Sequence, residues 1–358
     1  MQLTDYRTLG RSGLVVSPLA LGTMTFGTAR WGSGEEGSAV VFDAYLAVGG
    51  NFVDTADVYA GGRSEELLGR LVAERGLRDR VVLATKCGFY AGERSDPRGP
   101  NPNAGGNGRK QVRRALEGSL RRLGTDYVDL YWLHVWDAVT PCEEVLQTMG
   151  DLVRAGHVRY YGLSDVPAWY AAKMAALAAA HGAPGPVAMQ LEYSLVERTV
   201  EQEHVPAARD AGMGVCPWSP LAGGFLTGKY SRGDEAGRAV GDGRLSGSNP
   251  FGGSKFTERN WAVLDALRQV AAELGRPPAQ AALAWLLGRP GVTAPTVGAR
   301  DAAQLADLVA AAGVALTPAQ QGALDAASAL APAFPYPIFG PAINRGAVFG
   351  GASVSGWP

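Results

Sequence analysis

Cysteine is scarce: Cys87, Cys142 and Cys216 are the three in a chain of 358 residues. They lie far apart and show no metal-type spacing. An odd, scattered set argues against a disulfide framework and fits reduced thiols in a cytoplasm. Neither sign of charge is in excess, the net charge being −1 at pH 7. That balance gives no electrostatic footprint for nucleic acid or an anionic membrane. No uncharged apolar run reaches the roughly 18 residues needed to span a bilayer. The opening MQLTDYRTLGRSG also lacks the apolar core of a signal peptide. The expectation is a cytoplasmic chain with no membrane or nucleic-acid partner.

What the chain does contain is a steady alternation. Short β-branched runs occur at 15–22, 51–57, 80–87, 127–134, 158–164, 187–194, 214–220 and 292–298. Between them lie segments with apolar residues at i, i+3 and i+4, such as SEELLGRLVAE and EEVLQTMGDLVRA. Ser64, Asp165 and Thr257 read as helix N-caps, and Gly156 and Gly275 as left-handed ends. A helix between successive strands implies parallel pairing, since a parallel crossover needs a long connection. Eight such units predict an α/β TIM (β/α)8 barrel, read as one domain over 1–358. An open doubly wound sheet is the competing architecture. Two long loops break the beat, at 89–108 after the third strand and 222–256 after the seventh. The tail at 331–358 reads as irregular. Loops of this length after strand C-terminal ends sit where barrel active sites are built.

Four polar residues occupy those ends: Asp54 and, just beyond it, Tyr59 on the second strand, Lys86 on the third and His134 on the fourth. Neighbouring strands are about 4.8 Å apart, so these side chains converge. A phenol is a weak acid at neutral pH unless its anion is stabilised. An ammonium roughly 4 Å away contributes on the order of 4 kcal/mol at an effective dielectric near 20, enough to acidify it. Asp54 keeps that ammonium charged, and His134 orients a carbonyl oxygen. Protonating an oxygen as charge develops on it calls for a hydride donor on the other face, hence a nicotinamide. GGFLTGKY approximates a phosphate loop, but Tyr230 stands where Mg²⁺ requires Ser or Thr. Cys87, next to Lys86, points to the opposite face of its strand.

The blocks NFVDTADVYAGGRSEELLG, VVLATKCG, LGTDYVDLYWLH, GLSDV, MQLEYSLVERTVE and PWSPLAGGFLTGKY resemble those of the aldo-keto reductase superfamily, especially bacterial members related to potassium-channel β subunits. The resemblance implies an NADPH/NADP⁺-dependent carbonyl reductase with Asp54, Tyr59, Lys86 and His134 as its catalytic tetrad. It implies nicotinamide contacts from Ser164, Asp165, Gln190 and Trp218, and a diphosphate loop at Ser219, Leu221 and Gly223. Gly298, Arg300 and Gln304 match an adenosine 2′-phosphate site, which favours NADPH. Asp165, Asp307 and Leu308 depart from residues common in the family. The substrate pocket is expected among Met24, Phe26, Trp31, Tyr90 and Trp136, whose aromatics suit an apolar or extended carbonyl compound, with the tail closing over the site or packing on another subunit of a homo-oligomer. A nucleotide-binding regulatory subunit is the alternative function.

Overall fold

A computed structural model describes residues 1–28, 32–93, 97–233, 239–240, 243–245 and 254–354. At its centre eight parallel strands follow one another in chain order: β1 (Ala20–Gly22), β2 (Phe52–Asp54), β3 (Val82–Cys87), β4 (Val128–Leu133), β5 (Val158–Ser164), β6 (Ala188–Glu192), β7 (Gly214–Trp218) and β8 (Thr296–Val297). β8 pairs with β1, and a parallel bridge between Val215 of β7 and Val292 completes the circle. The expected (β/α)8 barrel is therefore the fold. Its outer helices include α1 (Glu35–Ala47), α2 (Arg63–Glu74), α3 (Arg109–Leu123), α4 (Cys142–Arg154), α5 (Ala168–Ala180) and α6 (His204–Asp210). α7 (Glu258–Leu274) and α8 (Pro278–Leu287) lie between β7 and β8, followed by α9 (Ala302–Val309) and α10 (Pro318–Ala327).

Strand alternation sorts the core into two parts. Leu83, Cys87, Tyr131, Leu133 and Leu163 point outward into the large layer packed against the helices. Phe52, Ala84, Leu130, Trp132, Ala188 and Cys216 fill the barrel interior. The interior pairs one large ring with small neighbours: a Cβ on Gly162 of β5 would come within 2.3 Å of the Trp132 ring. The same parity sends Lys86 inward, two residues beyond Ala84, and sends Cys87 out to the helices.

Several local expectations change. The run at 15–22 is two pieces: Val15–Val16 pairs antiparallel with Arg7–Thr8, and Ala20–Gly22 alone joins the barrel. The hairpin inserts Leu9 and Val16 into the interior cluster, a plug that strand propensity cannot distinguish from barrel wall. Thr257 does cap α7, accepting from the Asn260 N–H at 3.2 Å. Ser64 instead lies inside α2 and is buried in a hydroxyl cluster with Thr23 and Thr55. Asp165 is two residues ahead of the Pro167 that occupies the N-cap position of α5. Gly32–Gly37 spells G-x-G-x-x-G at the start of α1, but it is separated from β1 by residues 23–31 instead of forming the turn directly after the strand. The tail is not wholly irregular: it forms short helical turns at Tyr336–Phe339, Pro341–Ile343 and Asn344–Val348. Among the described residues no single helix is long and apolar enough to cross a membrane.

Candidate active site

Register across the sheet sets the site. Asp54 lies opposite Ala84 of β3, and Lys86 lies opposite Trp132 of β4, so Asp54, Lys86 and His134 rim one end of the barrel. Lys86 is fully buried. Its ammonium donates to an Asp54 carboxylate oxygen, to the Thr55 carbonyl at 2.8 Å, and to the Tyr59 hydroxyl at 3.5 Å. The Tyr59 ring stands edge-on to His134 with centroids 5.8 Å apart. All four expected tetrad residues come together.

The electrostatics differ from expectation in one respect. Burial disfavours the Lys86 ammonium, but the Asp54 and Tyr59 charges outweigh it, so its pKa stands above the ordinary value. Burial pushes the Tyr59 phenol up. Lys86 pulls it back and Asp54 opposes that pull, leaving the net shift upward. The expected acidification does not appear, because desolvation of the phenolate exceeds the gain from the ammonium. Burial, then Lys86, hold the His134 imidazole well below its ordinary pKa, so it is neutral at pH 7. A neutral ring carries one N–H donor.

Strain marks the same face. Among the described residues, the non-glycine ones with left-handed backbone are Ala60, Ala138, Asp165, Ser219 and Ala222, and each follows a barrel strand's C-terminal end. Such conformations cost on the order of 1–3 kcal/mol each and persist where the surroundings over-determine them, commonly at functional sites. Tyr59 opens a turn that continues through Ala60, Gly61 and Gly62, all with φ between 49° and 95°.

Around the tetrad, Ser164 pairs in register with Gln190, whose Nε2 is buried without a hydrogen-bond partner. A buried orphan donor beside a serine hydroxyl suits an amide-bearing ligand. The Asp165 carboxylate accepts from the Trp218 indole at 3.0 Å, and burial raises its pKa to about 6. It thus fixes Trp218 edgewise, a tie that spacing alone does not reveal. Beyond β7 the Ser219 hydroxyl accepts from the Gly223 N–H at 3.0 Å, and Leu221 packs on the core. Left-handed residues at 219 and 222–224 bend this segment tightly, with the Ala222 N–H donating to the Ser219 carbonyl at 2.7 Å and the Gly224 N–H to the Leu221 carbonyl at 2.9 Å. Gly298 and Arg300 lie on the turn from β8 into α9, and Gln304 in the first turn of that helix. There Asp301 caps the helix, and the Gln304 side-chain oxygen accepts from the Arg300 N–H at 2.8 Å. The Gln304 oxygen is therefore occupied, while the exposed Arg300 side chain projects from the turn. Gln280 claims Asp307 at 2.7 Å.

The expected pocket is only partly assembled. Phe26 is fully buried among the side chains of the outer core, so it has no surface to offer a substrate. Trp31 falls outside the described residues. The Tyr90 hydroxyl accepts from Asn101 N–H at 3.2 Å within its own loop. Trp136 packs T-shaped on Trp169 at 5.8 Å. Met24 contacts Arg244, a half-buried guanidinium whose charge acts on Tyr59. Sequence reasoning missed Arg244, which sits in a Gly- and Ser-rich loop without periodicity. It also missed Phe89, whose ring lies 4.6 Å from His134. Adjacency to the end of β3 was the only available signal for Phe89.

This geometry has named relatives. The model of the aldo/keto reductase family matches residues 18–329. The chain belongs to that family. This aldo/keto reductase is 39% identical over 317 residues to the uncharacterized oxidoreductase YrpG of Bacillus subtilis (strain 168), covering 87% of this chain and 92% of the relative. It is 34% identical to norsolorinic acid reductase B of Aspergillus parasiticus over 93% of this chain and 87% of that one. It is 36% identical to a probable voltage-gated potassium channel subunit beta of Oryza sativa subsp. japonica, over 86% and 89%. A general oxidoreductase role follows for this aldo/keto reductase.

Proposed function

We propose that the protein is an NADPH-dependent reductase of aldehydes or ketones, with Tyr59 as proton donor. The observation that carries this reading is the Tyr59 hydroxyl 3.5 Å from a buried, Asp54-paired ammonium and beside the His134 ring. When bound, a reduced nicotinamide supplies the hydride. The neutral His134 donates a hydrogen bond that orients the substrate oxygen, and Tyr59 gives that oxygen its proton. The phenolate left behind faces the Lys86 ammonium, so the pair stabilises charge where it develops. An elevated phenol pKa keeps the proton in place until then.

Ser164 and Gln190 suit the nicotinamide carboxamide, with Asp165 and Trp218 forming a preset edge beside it. Ser219, Leu221 and Gly223, on the tightly bent segment after β7, would wrap the diphosphate. Arg300 near the N-terminus of α9 suits a 2′-phosphate, which favours NADPH over NADH. The buried free cysteines fit a reducing cytoplasm. Relatives named norsolorinic acid reductase fit carbonyl chemistry.

Replacing Tyr59 by Phe should lower NADPH consumption with an aldehyde by about 10²–10⁴-fold while NADPH binding, followed by fluorescence, persists. A wild-type protein that binds NADPH yet oxidises none of it with aldehydes, ketones or keto-sugars would instead support the regulatory-subunit reading, which the rice relative's name favours.

A further inference from the structure

Asp165 follows the last residue of β5 and stands at φ 46°, in the left-handed region that Asp and Asn tolerate better than other side chains. One carboxylate oxygen accepts from the Trp218 indole at 3.0 Å, while the other has only a long contact, 3.4 Å, from the Ser164 hydroxyl. Its backbone N–H donates to the Gln190 carbonyl at 3.2 Å, which ties it to the residue whose side-chain amide nitrogen is buried without a partner. The carboxylate thus belongs to the cluster at the ends of β5, β6 and β7 that suits a nicotinamide.

Charge is unevenly matched in this cluster. Asp54 has the Lys86 ammonium, and Glu192 at the end of β6 has Lys255 at 2.6 Å. Among the described residues no lysine, arginine or histidine forms an ion pair with Asp165, whose partners are a neutral indole and a neutral hydroxyl. Desolvation by the surrounding protein raises its pKa to about 6; the Trp218 and Ser164 donors and the Lys86 charge oppose the rise, and Glu192 adds to it. At pH 7 the group is therefore mostly ionised. It also keeps a solvent-exposed face, so it presents an unmatched negative charge to whatever enters the cleft. The two forms of a nicotinamide differ in the property such a charge reads: the oxidised ring is cationic and the reduced ring is neutral.

Resting on the nucleotide-binding reading above, we propose that Asp165 discriminates between the redox forms of the cofactor, holding NADP⁺ in preference to NADPH through its unmatched carboxylate. A fixed charge beside a cofactor ring is a lever by which a protein tunes that cofactor. Here it lowers the potential of the bound couple, which favours hydride leaving the reduced form, and it keeps the spent cofactor tightly held. Asparagine at the same place retains the left-handed backbone, the shape and an acceptor for Trp218, and loses only the charge.

Isothermal titration of the full-length protein with NADP⁺ and with NADPH reads the ratio of the two Kd values without any turnover. Asp165→Asn should raise Kd for NADP⁺ relative to Kd for NADPH about tenfold at about pH 7.5, the order expected of one unit charge partly screened by water. That change equals a rise of ~30 mV in the potential of the bound couple. In the wild-type protein the ratio should move in the same direction between about pH 7.5 and about pH 5, as Asp165 takes up its proton, while the ratio in the variant moves less. Asp57 titrates in the same range but is present in both proteins, and the 2′-phosphate is common to both nucleotides, so neither accounts for a difference between the two series. An equal ratio in both proteins at both pH values overturns the proposal, and so does a variant that loses affinity for both forms to the same degree. A wild-type protein that binds neither nucleotide overturns the cofactor reading itself, and the discrimination with it.

Discussion

Lys86 is a fully buried cation whose ammonium is shared by Asp54, the Thr55 carbonyl and Tyr59. Removing one member of such a pair strands the other charge. Lys86→Met should therefore cost about 3–5 kcal/mol in urea unfolding, and the Lys86→Met/Asp54→Leu double variant less than that single one. A double variant weaker than the single one contradicts the pairing. Asp57, two residues ahead of Tyr59, is a different case. It is buried and neither oxygen has a well-formed partner. Burial, then the Glu65 carboxylate, raise its pKa from 3.8 to about 7, against the pull of Arg122 and Lys86. The folded state therefore holds a proton that the unfolded chain releases near 3.8. The contribution to stability is fully present below that pH, declines as pH rises toward about 7, and is flat above it. Asp57→Asn should remove this decline, seen as the wild-type-minus-variant difference in unfolding free energy between those two pH values. An unchanged difference counts against a protonated Asp57.

Among the elements, β4 and β5 show how one position governs the barrel interior. Trp132 fills space that exists because Gly162 opposite it in the register has no side chain. Gly162→Ala should destabilise the protein by about 1–3 kcal/mol through overpacking, read as a lower midpoint in urea. A neutral substitution would mean the ring can move aside. The turns after the strands are different in kind, because they carry strain and polar ties in place of packing. The β7 turn bends left-handed at Ser219 and again through 222–224, while Asp165 after β5 reaches Trp218 across the barrel end. Such cross-loop ties explain why single motifs identified the residues but not their partners.

At the scale of the molecule, the barrel is complete before the tail begins. The described residues from Phe334 to Val354 are mostly exposed, with Phe334 at 81% and Phe339 and Val348 also open to solvent. Little apolar surface is buried by the tail within one copy. A chain ending at residue 334 should melt within about 2 °C of the full-length protein. A much larger drop would mean that the tail covers the barrel in solution. If the exposed apolar tail packs on another subunit, the same truncation reduces the oligomer seen by light scattering.

The eight-fold alternation of strand and helix, and the positions of Asp54, Tyr59, Lys86 and His134 at strand ends, were legible along the chain, because periodicity and strand parity are local properties. Arg244, Phe89, the Asp165–Trp218 tie and the burial of Phe26 were not, because each depends on contact between segments far apart in the sequence. The same division holds for acidity. Residue types alone predicted that Lys86 would pull the Tyr59 proton loose, and the ammonium does pull in that direction. Tertiary burial decided the sign, since desolvation is set by everything that surrounds the hydroxyl and belongs to no single stretch of chain.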